Sequence, residues 1–201
     1  MSYNTEQFIE LLKPEYNDAL KYCKALCSKR SPDDAEDVLQ QSFLKALEYF
    51  DSLIDKKKFR SWLFTIITRE FYNSIRSDFW KKFLPVDARD EETEFPHVFA
   101  RQDEDGTGML INKALSAISK EERSAVLLFE IGGFSIEEIK VIQKERSLSA
   151  VKSRLSRARK KMKDFIENEE SNTSKQKTKK TIYLGDINNE TIRLIPEPER
   201  K

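Results

Sequence analysis

The fold is decided by residues 135–163, which read SIEEIKVIQKERSLSAVKSRLSRARKKMK. Ser135 lies three residues before Glu138, which is the spacing of a capping box at the start of a helix. That helix is short, and after a turn either Ser147 or Ser149 caps a longer, strongly basic helix. A short helix, a turn and a long helix together predict a helix-turn-helix.

The charge of the chain is concentrated in two opposite segments. Residues 144–163 contain nine basic residues and one acidic residue, a balance of +8, whereas residues 86–105 contain two basic and eight acidic residues, a balance of −6. The formal net charge of +1 therefore hides one strongly basic element, of the kind that neutralises DNA phosphates. The alternative is a solvated helix whose Lys and Arg stems only cover the core of its own domain.

The first eighty residues predict a second, separate helical core. Apolar residues recur at three- and four-residue steps from Phe8 to Cys27, Ser31 and Pro32 form a helix start, and a ridge at four-residue spacing continues from Phe59 to about Arg76. We therefore predict an all-α chain of two small domains that could sit well apart. Its parts are a helical bundle at 5–80, an acidic linker at 81–108, the helix-turn-helix domain at 109–167, and a C-terminal extension at 168–201 that is disordered or forms a short hairpin.

The composition argues against an enzyme, a metal site and a membrane protein. The single histidine, His97, lies in the acidic linker, and the chain has no Gly-rich phosphate loop, so we expect no catalytic residues and no cofactor. Cys23 and Cys27 lack partners for a metal site and are expected in a helix core. The longest nearly unbroken apolar stretch, 125–129, is far too short for a bilayer, and no signal peptide is evident. We expect a cytoplasmic protein with no membrane insertion.

Three motifs resemble one known family. Residues 34–47, DAEDVLQQSFLKAL, resemble the core-polymerase-binding helix of extracytoplasmic-function (ECF) sigma factors, the smallest members of the sigma-70 family. Residues 59–64, FRSWLF, resemble the start of their −10 recognition helix. Residues 135–139 followed by 150–159, AVKSRLSRAR, resemble their −35-binding helix-turn-helix. The motifs occur in the family's order and cover about residues 5–166.

The resemblance implies a transcription initiation factor with no chemistry of its own. It would bind core RNA polymerase through the β′ clamp helices and the β subunit, recognise promoter DNA at the −10 and −35 elements, and promote strand opening. For the −35 element the resemblance implies contacts from Ser149, Ala150, Lys152, Ser153, Ser156, Arg157 and Lys160. For the −10 element and melting the candidates are Arg60, Trp62, Arg69, Tyr72, Asn73 and Arg76. For core polymerase they are Asp34, Asp37, Gln40, Gln41 and Phe43, with Val38 and Leu39 adding apolar contact.

Two departures from the family pattern bear on promoter sequence. Eleven residues separate Ile139 from Val151, one more than the family usually has, and residues 144–146 stand where a glycine commonly makes the turn. Arg69 occupies the position of a frequent asparagine near the flipped −10 base. Promoter sequence should therefore not be transferred from a relative.

Other readings remain open from the residues alone. A helix-turn-helix regulator would bind duplex operator DNA as a dimer without polymerase, and an interaction module is a third class. If the chain acts as its family does, an anti-sigma factor could cover both domains and the linker, although the sequence identifies no such partner. The β-prone runs at 181–184 and 191–195 also suggest a tail that restrains the second domain.

Overall fold

The computed structural model describes residues 3–81 and 107–174, and these are helical, without a strand in either range. Most of the predicted linker, the whole of the predicted hairpin, and His97 lie outside the described residues. The α-helices are α1 (Tyr3–Leu12), α2 (Tyr16–Leu26), α3 (Pro32–Glu48), α4 (Phe59–Lys81), α5 (Thr107–Ala117), α6 (Lys120–Glu130), α7 (Ile136–Gln143) and α8 (Leu148–Ser174). Short 3₁₀ turns cover Lys13–Glu15, Phe50–Ser52 and Lys56–Lys58. The prediction of an all-α fold is confirmed over these residues.

The predicted helix starts are confirmed by their capping geometry. Ser31, Ser119 and Ser135 each accept a hydrogen bond from the backbone N–H three residues on, and each closes a capping box. The recognition helix α8 is capped by Ser147 rather than Ser149, because the Ser147 hydroxyl accepts the Ala150 N–H at 3.1 Å. These local bonds satisfy backbone donors that every helix leaves open at its start.

Three helix ends differ from the predicted positions by two to seven residues. Helix α4 continues to Lys81 rather than ending near Arg76, and α5 begins at Thr107, inside the segment that was assigned to the linker. Helix α8 runs to Ser174, seven residues into the predicted C-terminal extension at 168–201. Helix ends are the least certain part of a sequence reading, because polar residues can extend an amphipathic helix without any change in its apolar pattern.

The first four helices bury an aromatic core. The rings of Phe8, Phe50 and Phe59 meet edge to face with centroids 5.4 to 6.1 Å apart. Tyr22 is fully buried and shares a hydrogen bond of 2.9 Å with Thr68. Cys23 and Cys27 are both buried with no accessible surface, so their predicted core position is confirmed.

The helix-turn-helix contributes an apolar seam to the core. Val151, Leu155 and Ala158 of α8 are buried in the same apolar cluster as Ile139 and Ile142 of α7. Their spacing of three and four residues keeps one stripe of α8 in the core and leaves the opposite stripe in solvent. None of the helices in the described ranges has both the length and the apolar character needed to cross a bilayer.

The two helical regions are packed together in one compact unit that spans residues 1–166. Helix α4 contacts α7, and α2 contacts α6. The rings of Phe64 and Phe134 lie 5.0 Å apart across this contact. The sequence allows the two domains to sit well apart, whereas in the structure they pack against each other.

The turn between α7 and α8 departs from ordinary backbone geometry at one residue. Lys144 closes α7 in the left-handed conformation, with φ of 54° and ψ of 42°, and its N–H reaches the Val141 carbonyl at 3.2 Å. Glycine is favoured there because a side chain adds steric cost at positive φ. The longer turn that the sequence predicts therefore places a lysine in a backbone conformation that glycine adopts at lower steric cost.

We expect Lys144→Gly to stabilise the chain by about 1 kcal/mol, since it removes the strain of a Cβ at positive φ. Gly133, with φ of 63°, is the matched control. Gly133→Ala should lower stability by a similar amount, because alanine is strained at this positive φ. A steric clash is not the cause, since no atom would lie within 4 Å of the added Cβ. Urea unfolding followed by circular dichroism measures both, and equal midpoints for the two variants would contradict the assignment.

Candidate nucleic-acid interface

Helix α8 presents one exposed polar stripe, opposite the buried seam. The side chains of this stripe are spaced three, four and seven residues apart, so they share a face. Exposed members are Ser149, Lys152, Ser153, Ser156, Arg157 and Lys160, with Ala150 half-buried at the edge. All seven residues predicted to contact DNA are therefore brought together on or beside one helical surface.

Two other cations of α8, Arg154 and Arg159, form bonds within the domain. Arg154 pairs with Glu145 at 2.5 Å, and its guanidinium also donates to Gln143 at 2.7 Å. Arg159 pairs with Glu130 at 2.9 Å and lies over the Phe129 ring. These bonds brace α8 against α6 and the turn, so these arginines hold the helix in place while the exposed stripe remains available to a ligand.

Lys161 also links α8 to α6. Its ammonium group donates to both oxygens of Glu122 at 2.8 and 3.0 Å. Burial alone would raise the pKa of Glu122, but the hydrogen bonds from Lys161 and Ser119 hold it below its ordinary value. The carboxylate is therefore charged at neutral pH. It accepts the Ser119 N–H in the capping box of α6 and also binds Lys161 of α8.

Part of the predicted −10 set forms a second stripe, on α4. Trp62, Arg69, Asn73 and Arg76 follow a helical spacing, and the last three are exposed. Trp62 is half-buried, with its ring 5.9 Å from the Phe59 ring. Arg76 donates to the Asn73 side-chain oxygen at 3.4 Å. This stripe combines one aromatic face with cations and an amide.

Arg60 does not join that stripe. Its guanidinium pairs with Glu15 and with Asp18, the latter at 2.9 Å, and donates to the Gly132 carbonyl at 2.9 Å. Burial on its own would lower the pKa of Arg60, but the bonds to Asp18 and Glu15 raise it above its ordinary value. The side chain thus connects α2, α4 and the turn before α7 in this conformation.

Tyr72 is also turned away from solvent. Its hydroxyl shares a hydrogen bond of 2.7 Å with Ser124 of α6, and burial raises its pKa. The Lys120 ammonium lies 5.7 Å from the ring centroid. The six predicted −10 residues are therefore not one surface in this structure, since Arg60 and Tyr72 sit in the contact between the two helical regions.

The predicted polymerase face lies on α3. Asp37, Gln40 and Gln41 are exposed. Asp34 instead completes the capping box of Ser31 and pairs with Arg30 at 3.0 Å, while Phe43 is half-buried, its ring 5.9 Å from that of Tyr16. Burial would raise the pKa of Asp34, but the bonds from Ser31 and Arg30 lower it.

The expected apolar part of this face needs a correction. Val38 and Leu39 are only 4% and 5% exposed, so they belong to the core and cannot supply contact to a partner. Leu44 and Leu47 of the same helix are 60% and 40% exposed instead. Heptad-like apolar spacing could not distinguish these leucines from core residues, because they continue the same pattern.

A further exposed apolar residue lies in the connection between α3 and α4. Ile54 is 98% exposed and is followed by Lys56, Lys57 and Lys58. Lys56 is held against the Phe50 ring at 3.5 Å, whereas Lys57 and Lys58 are exposed. An exposed apolar side chain beside two exposed cations suits contact with an unpaired base and its backbone.

Comparison with protein families assigns both helical regions. Residues 11–81 match the family model described as Sigma-70 region 2, and residues 108–162 match Sigma-70, region 4. The first match contains α2 to α4 with the −10 stripe and the polymerase face. The second contains nearly all of α5, the whole of α6 and α7, and α8 as far as Met162, with the exposed stripe of that helix.

Individual proteins agree with the family models. The chain is 28% identical over 141 residues to the ECF RNA polymerase sigma factor EcfG of Rhodopseudomonas palustris, covering 69% of this chain and 74% of that protein. It is 29% identical over 143 residues to the ECF RNA polymerase sigma factor SigE of Mycolicibacterium smegmatis, covering 70% of this chain and 55% of that one. Among solved structures, the sigma factor RpoE in complex with the anti-sigma factor NepR from Bartonella quintana matches with a TM-score of 0.59 at 25% identity, covering 81% of this chain and 96% of that one.

Proposed function

The chain belongs to the ECF group of the sigma-70 family of transcription initiation factors, and on that premise we propose how its surfaces divide the work. Helix α3 binds core RNA polymerase, α4 and the connection before it bind the opened −10 element, and α8 binds the −35 element as duplex. Sigma factors are generally regulators without catalysis, and we propose that this chain catalyses nothing and acts in the cytoplasm, where polymerase and chromosome meet.

The exposed stripe of α8 is the observation that carries this proposal. A recognition helix needs small polar side chains that reach base edges and cations that contact phosphates. Ser149, Ser153 and Ser156 supply the first kind, and Lys152 and Arg157 supply the second. Because Arg154 and Arg159 are already engaged inside the domain, the position of α8 is set before DNA binds, which lowers the ordering cost of binding.

The α4 stripe supports binding of single-stranded DNA. Unstacked bases bind to aromatic faces, and cations follow the backbone. Trp62 offers the aromatic face, Arg69 and Arg76 the cations, and Asn73 an amide that can read a base edge. Ile54 and Lys57, in the connection before α4, extend the same chemistry.

The outer face of α3 supports binding to polymerase, because it joins polar and apolar groups. Asp37 would steer association, since exposed charges act mainly on rate and specificity. The amides of Gln40 and Gln41 would help to fix the register through hydrogen bonds. Leu44 and Leu47 provide the apolar area that stabilises a complex.

Asp37→Arg should weaken the affinity for core polymerase about tenfold, because it places a cation where the proposal needs an anion. Glu10→Arg makes the same charge change on α1, where Glu10 is exposed, and should leave the affinity unchanged. Fluorescence anisotropy of labelled protein titrated with core polymerase measures both variants. Equal affinities for the two variants would place the polymerase surface elsewhere.

The comparisons also support a protein partner. The Bartonella quintana sigma factor was solved with the anti-sigma factor NepR, and we propose that an anti-sigma factor also binds this chain. Its binding would compete with core polymerase, since it must withhold the sigma factor from transcription.

Run-off transcription tests the proposal. Purified chain is added to core polymerase and genomic DNA fragments, and we expect promoter-specific starts that depend on the chain. A dimeric regulator would instead footprint a palindromic operator without polymerase and yield no starts, and that result would overturn the proposal.

A further inference from the structure

One apolar side chain lies on the surface at the very start of the recognition helix. Leu148 is the first residue of α8, directly after the capping residue Ser147, and it is 37% exposed. It was not among the seven residues predicted to contact DNA. Scattered exposed leucines are ordinary on protein surfaces, so the exposure of Leu148 alone implies no ligand. Its position in the helix-turn-helix does.

The cap of α8 decides where Leu148 lies. Ser147 rather than Ser149 accepts the Ala150 N–H, at 3.1 Å. With Ser149 as the cap, Leu148 would have preceded the helix. Instead it occupies the first helical position, four residues before the exposed Lys152 and eight before the exposed Ser156. Side chains four residues apart share a helical face, so Leu148 adds an apolar group to the leading end of the exposed stripe, at its border with the buried seam.

The turn before Leu148 is held in one shape. The Glu145 N–H donates to the Lys140 carbonyl at 2.8 Å, and the Glu145 carboxylate pairs with Arg154 of α8 at 2.5 Å. The Arg154 guanidinium also donates to Gln143 at the end of α7. These bonds fix the first two turns of α8 relative to α7. The position of Leu148 is therefore set before a ligand binds, which lowers the ordering cost of binding.

The chemistry of the major groove selects a partner for this side chain. In a helix-turn-helix the first residues of the recognition helix reach the base edges. Those edges present hydrogen-bond donors and acceptors, and the 5-methyl group of thymine is the apolar group among them. The hydroxyl of Ser149 can bond to a donor or an acceptor, whereas Leu148 can do neither. A leucine at this position therefore matches a thymine methyl and leaves the polar groups of another base without a partner.

The charges around Leu148 suit the same ligand. Lys144 and Arg146, in the turn directly before α8, are both exposed. Phosphates border the major groove on both sides, and cations that contact them position a protein on the duplex without reading its sequence. An apolar group between the cations of the turn and Lys152 is thus placed to read a base while its neighbours contact the backbone.

We propose that Leu148 is a specificity-determining residue, which recognises the 5-methyl group of a thymine in the −35 element by apolar contact. The inference rests on the proposed function for the identity of that element. The contact itself needs only a duplex whose major groove receives the start of α8. It gives this chain a preference for thymine at one position that hydrogen bonding alone would not produce.

The test removes the methyl group and leaves the rest of the base unchanged. Random-sequence duplexes are selected with the full chain bound to core polymerase and, in parallel, with the full chain alone. Each thymine of the selected −35 segment is then replaced in turn by deoxyuridine, which lacks only the 5-methyl group. Fluorescence anisotropy at fixed salt gives the affinity for each duplex. At one position we expect deoxyuridine to weaken binding about fourfold, the factor that corresponds to the burial of one methyl group.

Three variants assign that effect to one side chain. Leu148→Ala should bind the thymine duplex about fourfold more weakly than the parent and should not distinguish thymine from deoxyuridine at that position. Leu148→Met keeps an apolar side chain and should retain the distinction. Val141→Ala is the matched control, because Val141 is an apolar residue of α7 that is 70% exposed, and it should bind both duplexes as the parent does. Equal urea midpoints by circular dichroism for Leu148→Ala and the parent exclude a loss of folding.

The outcomes separate this contact from the proposed function. An equal deoxyuridine penalty in the parent and in Leu148→Ala would overturn the methyl contact, as would a parent with no penalty at any position or a selected segment without thymine. If only the chain alone selects duplexes, and these are palindromic, the proposed function fails, while the deoxyuridine series on those duplexes still decides the role of Leu148. If neither form selects a duplex, both proposals fall.

Discussion

Replacing Phe64 by alanine should lower the free energy of unfolding by about 3–5 kcal/mol, the usual cost of removing a buried phenylalanine. Phe64 has no accessible surface, and its ring lies 5.2 Å from the Tyr22 ring and 5.0 Å from the Phe134 ring. The Arg60 guanidinium lies 5.3 Å from its centroid. The cavity would therefore open where the core of region 2 meets region 4, and both would lose packing.

Urea unfolding monitored by circular dichroism measures the change, with two controls. Phe64→Leu keeps most of the apolar volume and should lose less than half as much stability. Phe43→Ala removes the same ring from a half-buried position on α3 and should also cost less. If Phe64→Ala lowered the free energy of unfolding no more than Phe43→Ala does, the buried position assigned to Phe64 would be contradicted.

The double variant Lys152→Ala/Arg157→Ala should reduce affinity for −35 duplex DNA on the order of a hundredfold at low salt. If each cation contacts one phosphate, the slope of log K against log salt should become less steep by about 1.8, since each neutralised phosphate contributes about 0.9. Both side chains are exposed on α8 and make no ion pair among the described residues, so the loss should not come from unfolding.

A matched control separates specific contact from total charge. Lys13→Ala/Lys21→Ala removes two exposed cations from region 2, near α1 and on α2. This variant should bind the duplex with the parent's salt slope. The affinities are measured by fluorescence anisotropy with a −35 duplex chosen from the run-off starts. If both doubles changed the slope equally, the exposed stripe of α8 would not be the DNA-binding surface.

The resemblance and the helix starts could be read without coordinates because their signals are local. A capping box depends on residues three apart, so the pairs Ser119 with Glu122 and Ser135 with Glu138 are enough to predict where α6 and α7 begin. Likewise, the apolar spacing of Val151, Leu155 and Ala158 fixes which side of α8 is buried. Membership in a known family was visible for the same reason, since its motifs are short and ordered.

The extra turn residue was also visible, but its geometry was not. Counting between Ile139 and Val151 predicts a longer turn, yet nothing in the sequence says that Lys144 would take the left-handed conformation. A lysine there has a steric cost, and the turn is held in that shape by backbone hydrogen bonds from Lys144 and Glu145 to the end of α7 and by the ion pair between Glu145 and Arg154.

What the sequence by itself determined is therefore the all-α class, the helix starts and the buried seam of the recognition helix, because each depends on contacts within one or two helical turns. The tertiary structure alone decided which cations of α8 are exposed and which form ion pairs within the domain. It also placed Arg60 and Tyr72 inside the contact between the regions rather than beside Asn73. Those outcomes depend on partners such as Gly132 and Ser124, more than fifty residues away in the chain. Such pairings are set by how whole helices dock, and no local pattern encodes them.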